Sequence, residues 1–125
     1  MPKHARQYWL MKSEPDEFSI DDLARVGSEP WSGVRNYQAR NFMWKQMRVG
    51  DGVFFYHSNA DVPGIYGLAT VASTPYPDPT QFDAKSDYFD AKRAREDPRW
   101  WLVDVGFERK LSRPISLDEL RGHAE

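Results

Sequence analysis

Residues 31–50 (WSGVRNYQARNFMWKQMRVG) hold Arg35, Arg40, Lys45 and Arg48 and no acidic residue, a local +4 in a chain of net charge −2. Trp31, Tyr37, Phe42 and Trp44 lie in the same stretch. Cations interleaved with rings suit nucleic-acid contact, because Lys and Arg neutralise phosphates while flat rings stack on bases. Asn36 is a suitable N-cap for a helix running to Met47. A turn of about 100° per residue gathers Ala39, Phe42, Met43 and Met47 into a core-facing arc. The opposite arc carries Arg40, Asn41, Trp44, Lys45 and Arg48, with Tyr37 among them. It reads either as a nucleic-acid face or as a solvated helix whose Trp44 packs under a neighbouring loop. Trp31 sits in a Pro-Trp-Ser-Gly loop just before this helix, where its ring can stand beside free backbone N–H groups. Ser32 and Asn36 could then meet the polar edge of a base. The plainer alternative is a tryptophan that plugs the end of a sheet.

Other residue types are weaker candidates for chemistry. His57 adjoins Ser58 at a strand end, but adjacent strand residues point to opposite faces, so His57 does not easily activate the hydroxyl. His57 reads as the general base of a small enzyme acting on a nucleotide or anion, or as a rim histidine in a hydrogen-bonded turn. Glu14, Asp16 and Glu17 form either an acid/base set or a solvated loop before a helix. The other histidines, His4 and His123, are too scattered along the chain to suggest a metal cluster. No Walker loop, G-x-G-x-x-G, H-E-x-x-H or G-x-S-x-G is present, and no metal or cofactor is expected. Zero cysteines remove thiol catalysis, Cys-ligated zinc and a disulfide framework.

The elements that must position these residues fit one domain over 1–125, since a chain of 125 residues leaves no room for a second core. Gln7 to Lys12 reads as a strand stopped by Ser13-Glu14-Pro15, and Ser19 caps a helix over Ile20 to Val26 that ends at Gly27. Ser28 to Arg35 reads as a loop. Val53 to His57 and Ile65 to Ala72 form a hairpin around Pro63-Gly64. Ser73 to Pro98, rich in Pro, Asp and Tyr, is an ordered surface excursion. In the strand Arg99 to Lys110, alternation places Trp101, Val103, Val105 and Phe107 on one face. Ser116 and Glu119 make a capping box for a last short helix. Short helices between strands, without regular βαβ spacing, predict an α+β domain around a mixed, curled sheet. The only early apolar run, Tyr8 to Met11, is far shorter than a signal core or membrane span, so no membrane partner and a cytoplasmic location are expected. Aromatic residues make up 14% of the chain, over-represented against an ordinary aliphatic supply, and read as core or as a surface that stacks on something planar.

Four ordered blocks carry a family resemblance: Tyr8-Trp9-Leu10-Met11-Lys12-Ser13-Glu14-Pro15, Trp31-Ser32-Gly33-Val34-Arg35-Asn36-Tyr37-Gln38-Ala39-Arg40-Asn41, Phe55-Tyr56-His57-Ser58-Asn59, and Tyr76-Pro77-Asp78-Pro79-Thr80-Gln81-Phe82-Asp83. The chain resembles the EVE domains. That resemblance implies a PUA-like pseudobarrel related to the YTH domains, and a non-catalytic reader of modified nucleobases, methylcytosine-type bases in DNA or a modified base in RNA. Carried over, it nominates Lys12, Ser13, Trp31, Ser32, Val34, Asn36, Tyr56, His57 and Ser58 as the base pocket. Arg35, Arg40, Lys45 and Arg48 would hold the flanking phosphates. A modification-blind RNA-binding scaffold is the third reading, beside the reader and the enzyme. Family members usually continue past the segment matching Leu117 to Leu120 into a barrel-closing strand. An exposed sheet edge and pairing with a second copy are therefore expected.

Overall fold

The computed structural model describes residues 5–92 and 96–122. His4 and His123, set aside above as metal ligands, lie outside them. Strand β1 (Tyr8–Ser13) exposes Tyr8 and Leu10 and buries Met11, the alternation of a strand with one covered face. Helix α1 (Ile20–Val26), strand β2 (Ser28–Pro30) and helix α2 (Tyr37–Asn41) follow, and a π-helical turn (Phe42–Gln46) extends α2. The chain then enters β3 (Gly52–His57), parallel to β1, and returns as β4 (Gly64–Val71), the expected hairpin. Beyond it come β5 (Tyr76–Pro77), a 3-10 turn (Pro79–Phe82), β6 (Trp101–Leu102), β7 (Asp104–Ser116) and α3 (Leu117–Gly122).

The main sheet runs β1-β3-β4-β7-β2, mixed because only the β1–β3 pair is parallel, while β5 and β6 form a separate two-stranded pair. Register shifts fall between Phe55 and Tyr56 in β3, and in β4 between Ile65 and Gly67 and between Leu68 and Ala69. Such irregularities bend strands and raise twist, which curls the sheet. Met11, Leu23, Met43, Val53, Phe55, Leu102 and Val105 form its buried core. Ile20, at the start of helix α1, packs on β4 so closely that a Cβ on Gly67 would collide with its side chain.

Local signals explain the helix ends. Ser19 Oγ accepts the Asp22 N–H at 3.1 Å and Asp22 Oδ2 accepts the Ser19 N–H at 2.9 Å, a reciprocal capping box. Asn36 Oδ1 accepts the Ala39 N–H at 3.0 Å, as expected of an N-cap. The Ser116–Glu119 box is also present.

Three expectations need correction. Ser28 to Pro30 is no loop: it is the edge strand β2, paired antiparallel with β7, and the edge tolerates Pro30. The helix over 36–47 is not uniformly α-helical, because the Met47 N–H reaches Phe42 O, five residues back, at 2.8 Å. Met43 and Met47 still face the core, and Ala39 and Phe42 are half-buried beside them. Trp101 does not follow the alternation into the core. The strand is broken between β6 and β7, so Leu102 and Val103 are both buried, Trp100 turns inward, and Trp101 stacks on Trp44 with centroids 4.9 Å apart.

In the described part of the long excursion, a buried glutamine bridges its two ends. Gln81 Nε2 donates to Asp78 O and Trp100 O, both at 2.8 Å, and its Oε1 accepts the Arg99 and Trp100 N–H groups at 3.0 Å. One side chain thus ties the 3-10 turn to the approach to β6.

Candidate nucleic-acid interface

The end of β1, the loop after β2 and the end of β3 meet around a cavity of about 440 Å³. Of the nine residues nominated for a base pocket, Lys12, Ser13, Trp31, Ser32, Val34 and Ser58 line it. Parallel pairing of β1 with β3 brings two of those segments together: Ser13 is in register with His57, and the Ser58 N–H donates to Ser13 O at 3.0 Å. Trp31 is fixed by its own N–H, which donates to Val103 O at 3.0 Å, and by an edge-on contact with Phe55 at 5.5 Å. The residue thus packs against the core and also lines the cavity.

The other three nominated residues stand elsewhere. Asn36 is committed to capping α2. Tyr56 is buried, with Lys12 Nζ 5.6 Å from its ring centroid. His57 is buried, stacked on Tyr66 at 4.1 Å, and its Nε2 accepts the Ile20 N–H at 3.1 Å. A general base needs a lone pair free to meet substrate, and α1 occupies this one. The enzyme reading thereby loses the geometry that motivated it.

Burial holds the His57 pKa below the ordinary histidine range; the Lys110 charge acts the same way and the Asp21 carboxylate opposes them. A folded-state value below the unfolded one means that the unfolded chain takes up the proton first as pH falls. Stability is therefore expected to be full above about pH 6.5 and to decline below it, because the protonated ring can no longer accept from Ile20. Thermal melts across pH 5–8 check this. A His57→Gln variant should flatten the slope, and an equally steep slope in that variant would contradict the assignment.

The four nominated phosphate ligands divide. Arg35 is bound inward: Nη1 meets Val34 O at 3.0 Å and Asp78 Oδ2 at 3.2 Å, and Nη2 meets Thr80 Oγ1 at 3.1 Å and Tyr88 O at 2.7 Å. Arg40 donates to Asn41 Oδ1 and Arg99 O, and lies over the Tyr37, Trp44 and Trp100 rings. Lys45 and Arg48 are exposed, Lys45 with its Nζ 4.9 Å from the Trp44 centroid. The rings on this face are largely spoken for, since Tyr37 stacks on Trp100 at 5.0 Å and Trp44 on Trp101.

Several lining residues were not nominated from the sequence: Phe18, Glu29, Pro30, Gly33 and Tyr88, along with Glu14 and Glu17, which were read with Asp16 as an acid/base set or a solvated loop. Among the described residues, Lys12 is the one cation on the lining, against the carboxylates of Glu14, Glu17 and Glu29. Hydrogen-bond donors of a ligand are favoured here and phosphate is not. An adjacent apolar cleft of about 370 Å³ shares Lys12, Trp31 and Val34 with it and reaches along β1 to Phe42 and Met47. Among the described residues no group of three His, Asp or Glu could hold a metal ion, and no helix is long and apolar enough to cross a membrane.

Comparison with known proteins identifies the family and the fold. Residues 7–125 match the EVE domain, and the chain belongs to that family. It is 45% identical over 130 residues to mouse thymocyte nuclear protein 1, covering 95% of this chain and 57% of that protein, and 42% identical to the human protein. The chain thus spans little more than half the length of these relatives. A Pseudomonas putida crystal structure superposes with a TM-score of 0.90 at 51% identity, covering 94% of this chain and 78% of that one. The human THYN1 protein in complex with DNA containing 5-methylcytosine superposes with a TM-score of 0.87 at 43% identity, covering 93% and 74%. The curled, mixed five-stranded sheet with short helices is the PUA-like half-barrel of these domains.

Proposed function

We propose that this chain is a non-catalytic reader that takes a modified nucleobase of a nucleic acid, methylcytosine-type in DNA, into the cavity lined by Lys12, Ser13, Trp31, Ser32, Val34 and Ser58. The observation that carries the reading is that cavity: about 440 Å³, with a tryptophan wall and three serines. Its size falls within the range of about 300–1,000 Å³ usual for small-ligand sites. The human relative bound to 5-methylcytosine DNA supports the choice of ligand.

The chemistry follows from the lining. A base must leave its stack to reach such a site, since a duplex hides the face a ring would contact. Trp31 offers a π-face, Val34 and Pro30 offer apolar surface to a methyl group, and the serine hydroxyls with Glu14, Glu17 and Glu29 accept from an amino edge. Phosphates are held outside the acidic lining, by Lys12 at its border and by the exposed Lys45 and Arg48. A single methyl is worth about 1–3 kcal/mol in an apolar pocket, a preference of roughly 10–200-fold.

Tryptophan fluorescence titrations with oligonucleotides that differ only in one 5-methylcytosine test the reading. Tighter binding of the methylated strand is expected. Identical isotherms with a steep salt dependence would instead favour the modification-blind scaffold.

A further inference from the structure

Tyr88 lines the cavity from the surface excursion, remote in sequence from every nominated pocket residue. Tyr88 remains 42% exposed, yet it is bracketed from two directions. On one side is Gly33, where a Cβ would stand 2.7 Å from Cε2 and Cζ of the ring. Gly33 also adopts φ +83°, so both conformation and space require glycine there. On the other side is Arg35, whose guanidinium carbon lies 5.4 Å from the ring centroid while Nη2 donates to Tyr88 O at 2.7 Å. A single buried carboxylate anchors both. Asp78 Oδ2 accepts the Gly33 N–H at 2.7 Å and Arg35 Nη1 at 3.2 Å.

A ring this exposed adds little to a core. A bracket built from an ion pair with a buried carboxylate and a glycine at positive φ therefore fixes the ring for a contact outside the fold. We infer that Tyr88 is a second aromatic contact for the bound base, and that Arg35 is a positioning residue that sets this ring and does not hold phosphate. The inference rests on the reading of the cavity as a base site. Trp31 and Tyr88 then reach one base from two segments, and the slot is preformed because Arg35 has no donor to release from its terminal nitrogens: all four hydrogens meet acceptors.

The test uses the full chain, a 5-methylcytosine oligonucleotide and its unmethylated counterpart, with melts for each variant. Tyr88→Ala should weaken methylated-strand binding about tenfold or more while the melting temperature barely moves, and Tyr88→Phe should restore most of the loss. Arg35→Met should weaken binding without changing the salt slope, and combined with Tyr88→Ala should add nothing to the loss from Tyr88→Ala. Wild-type affinity in Tyr88→Ala overturns the inference. So does an Arg35→Met loss that adds to the Tyr88→Ala loss and lowers the salt slope by about 1, the mark of a phosphate contact. Failure of the wild-type chain to bind either strand defeats the cavity reading itself, which separates that failure from one confined to Tyr88.

Discussion

Asp78→Ala is expected to lower folding stability by about 3–5 kcal/mol, the range for removing one partner of a buried ion pair. Asp78 is 1% exposed, and its carboxylate accepts four hydrogen bonds, from Gly33 N, Arg35 Nη1, Thr80 N and Thr80 Oγ1. Alanine leaves all four donors short, and the guanidinium most of all, since only 23% of the Arg35 side chain is exposed to water. Asp78→Asn should lose less, because an amide oxygen still accepts from Gly33 or Thr80 while the charge is gone. Urea unfolding of the three proteins measures this. A loss below about 1 kcal/mol for the alanine variant would show that the carboxylate does not organise the loop and the excursion as described.

Trp31→Ala is expected to weaken binding of a methylated oligonucleotide by about 1–3 kcal/mol, the range for a base–aromatic stack. Because the ring also meets Phe55 edge-on at 5.5 Å, the same change should lower the melting temperature. Trp31→Phe separates the two effects by retaining a π-face at the site. It should recover a substantial part of the affinity. Unchanged affinity in a folded Trp31→Ala protein would remove the tryptophan from the site.

How much of this could be read from residues depended on the range of the interaction. Caps are local, so Ser19, Asn36 and the Ser116–Glu119 box were legible. The hairpin was legible as well, from two apolar runs around Pro63-Gly64. That six of the nominated residues line one cavity was legible because they fall in motif blocks that the sheet brings together. Trp101 misled because alternation assumes a continuous strand, and the break at Val103 resets the parity. The partners of Arg35 and Arg40 within the chain were not legible, because charge says nothing about partners. Asp78 lies 43 residues beyond Arg35, and Arg99 lies 59 beyond Arg40. Tyr88 carried no signal beyond being aromatic, since its place depends on Gly33 and Arg35, 55 and 53 residues away. Asp51 belongs with these, a buried acid whose carboxylate accepts from the Trp9 indole at 3.0 Å and fixes β1 to the turn before β3.

The central claim places a modified base in the cavity beside Trp31, and amide and indole chemical-shift changes during titration with a 5-methylcytosine oligonucleotide test it most directly. The account predicts that the largest changes fall on the Trp31 indole and on Ser13, Ser32, Val34 and Ser58, with smaller ones at Lys45 and Arg48. Changes confined to the Lys45 and Arg48 surface, with the Trp31 indole unmoved, would contradict it.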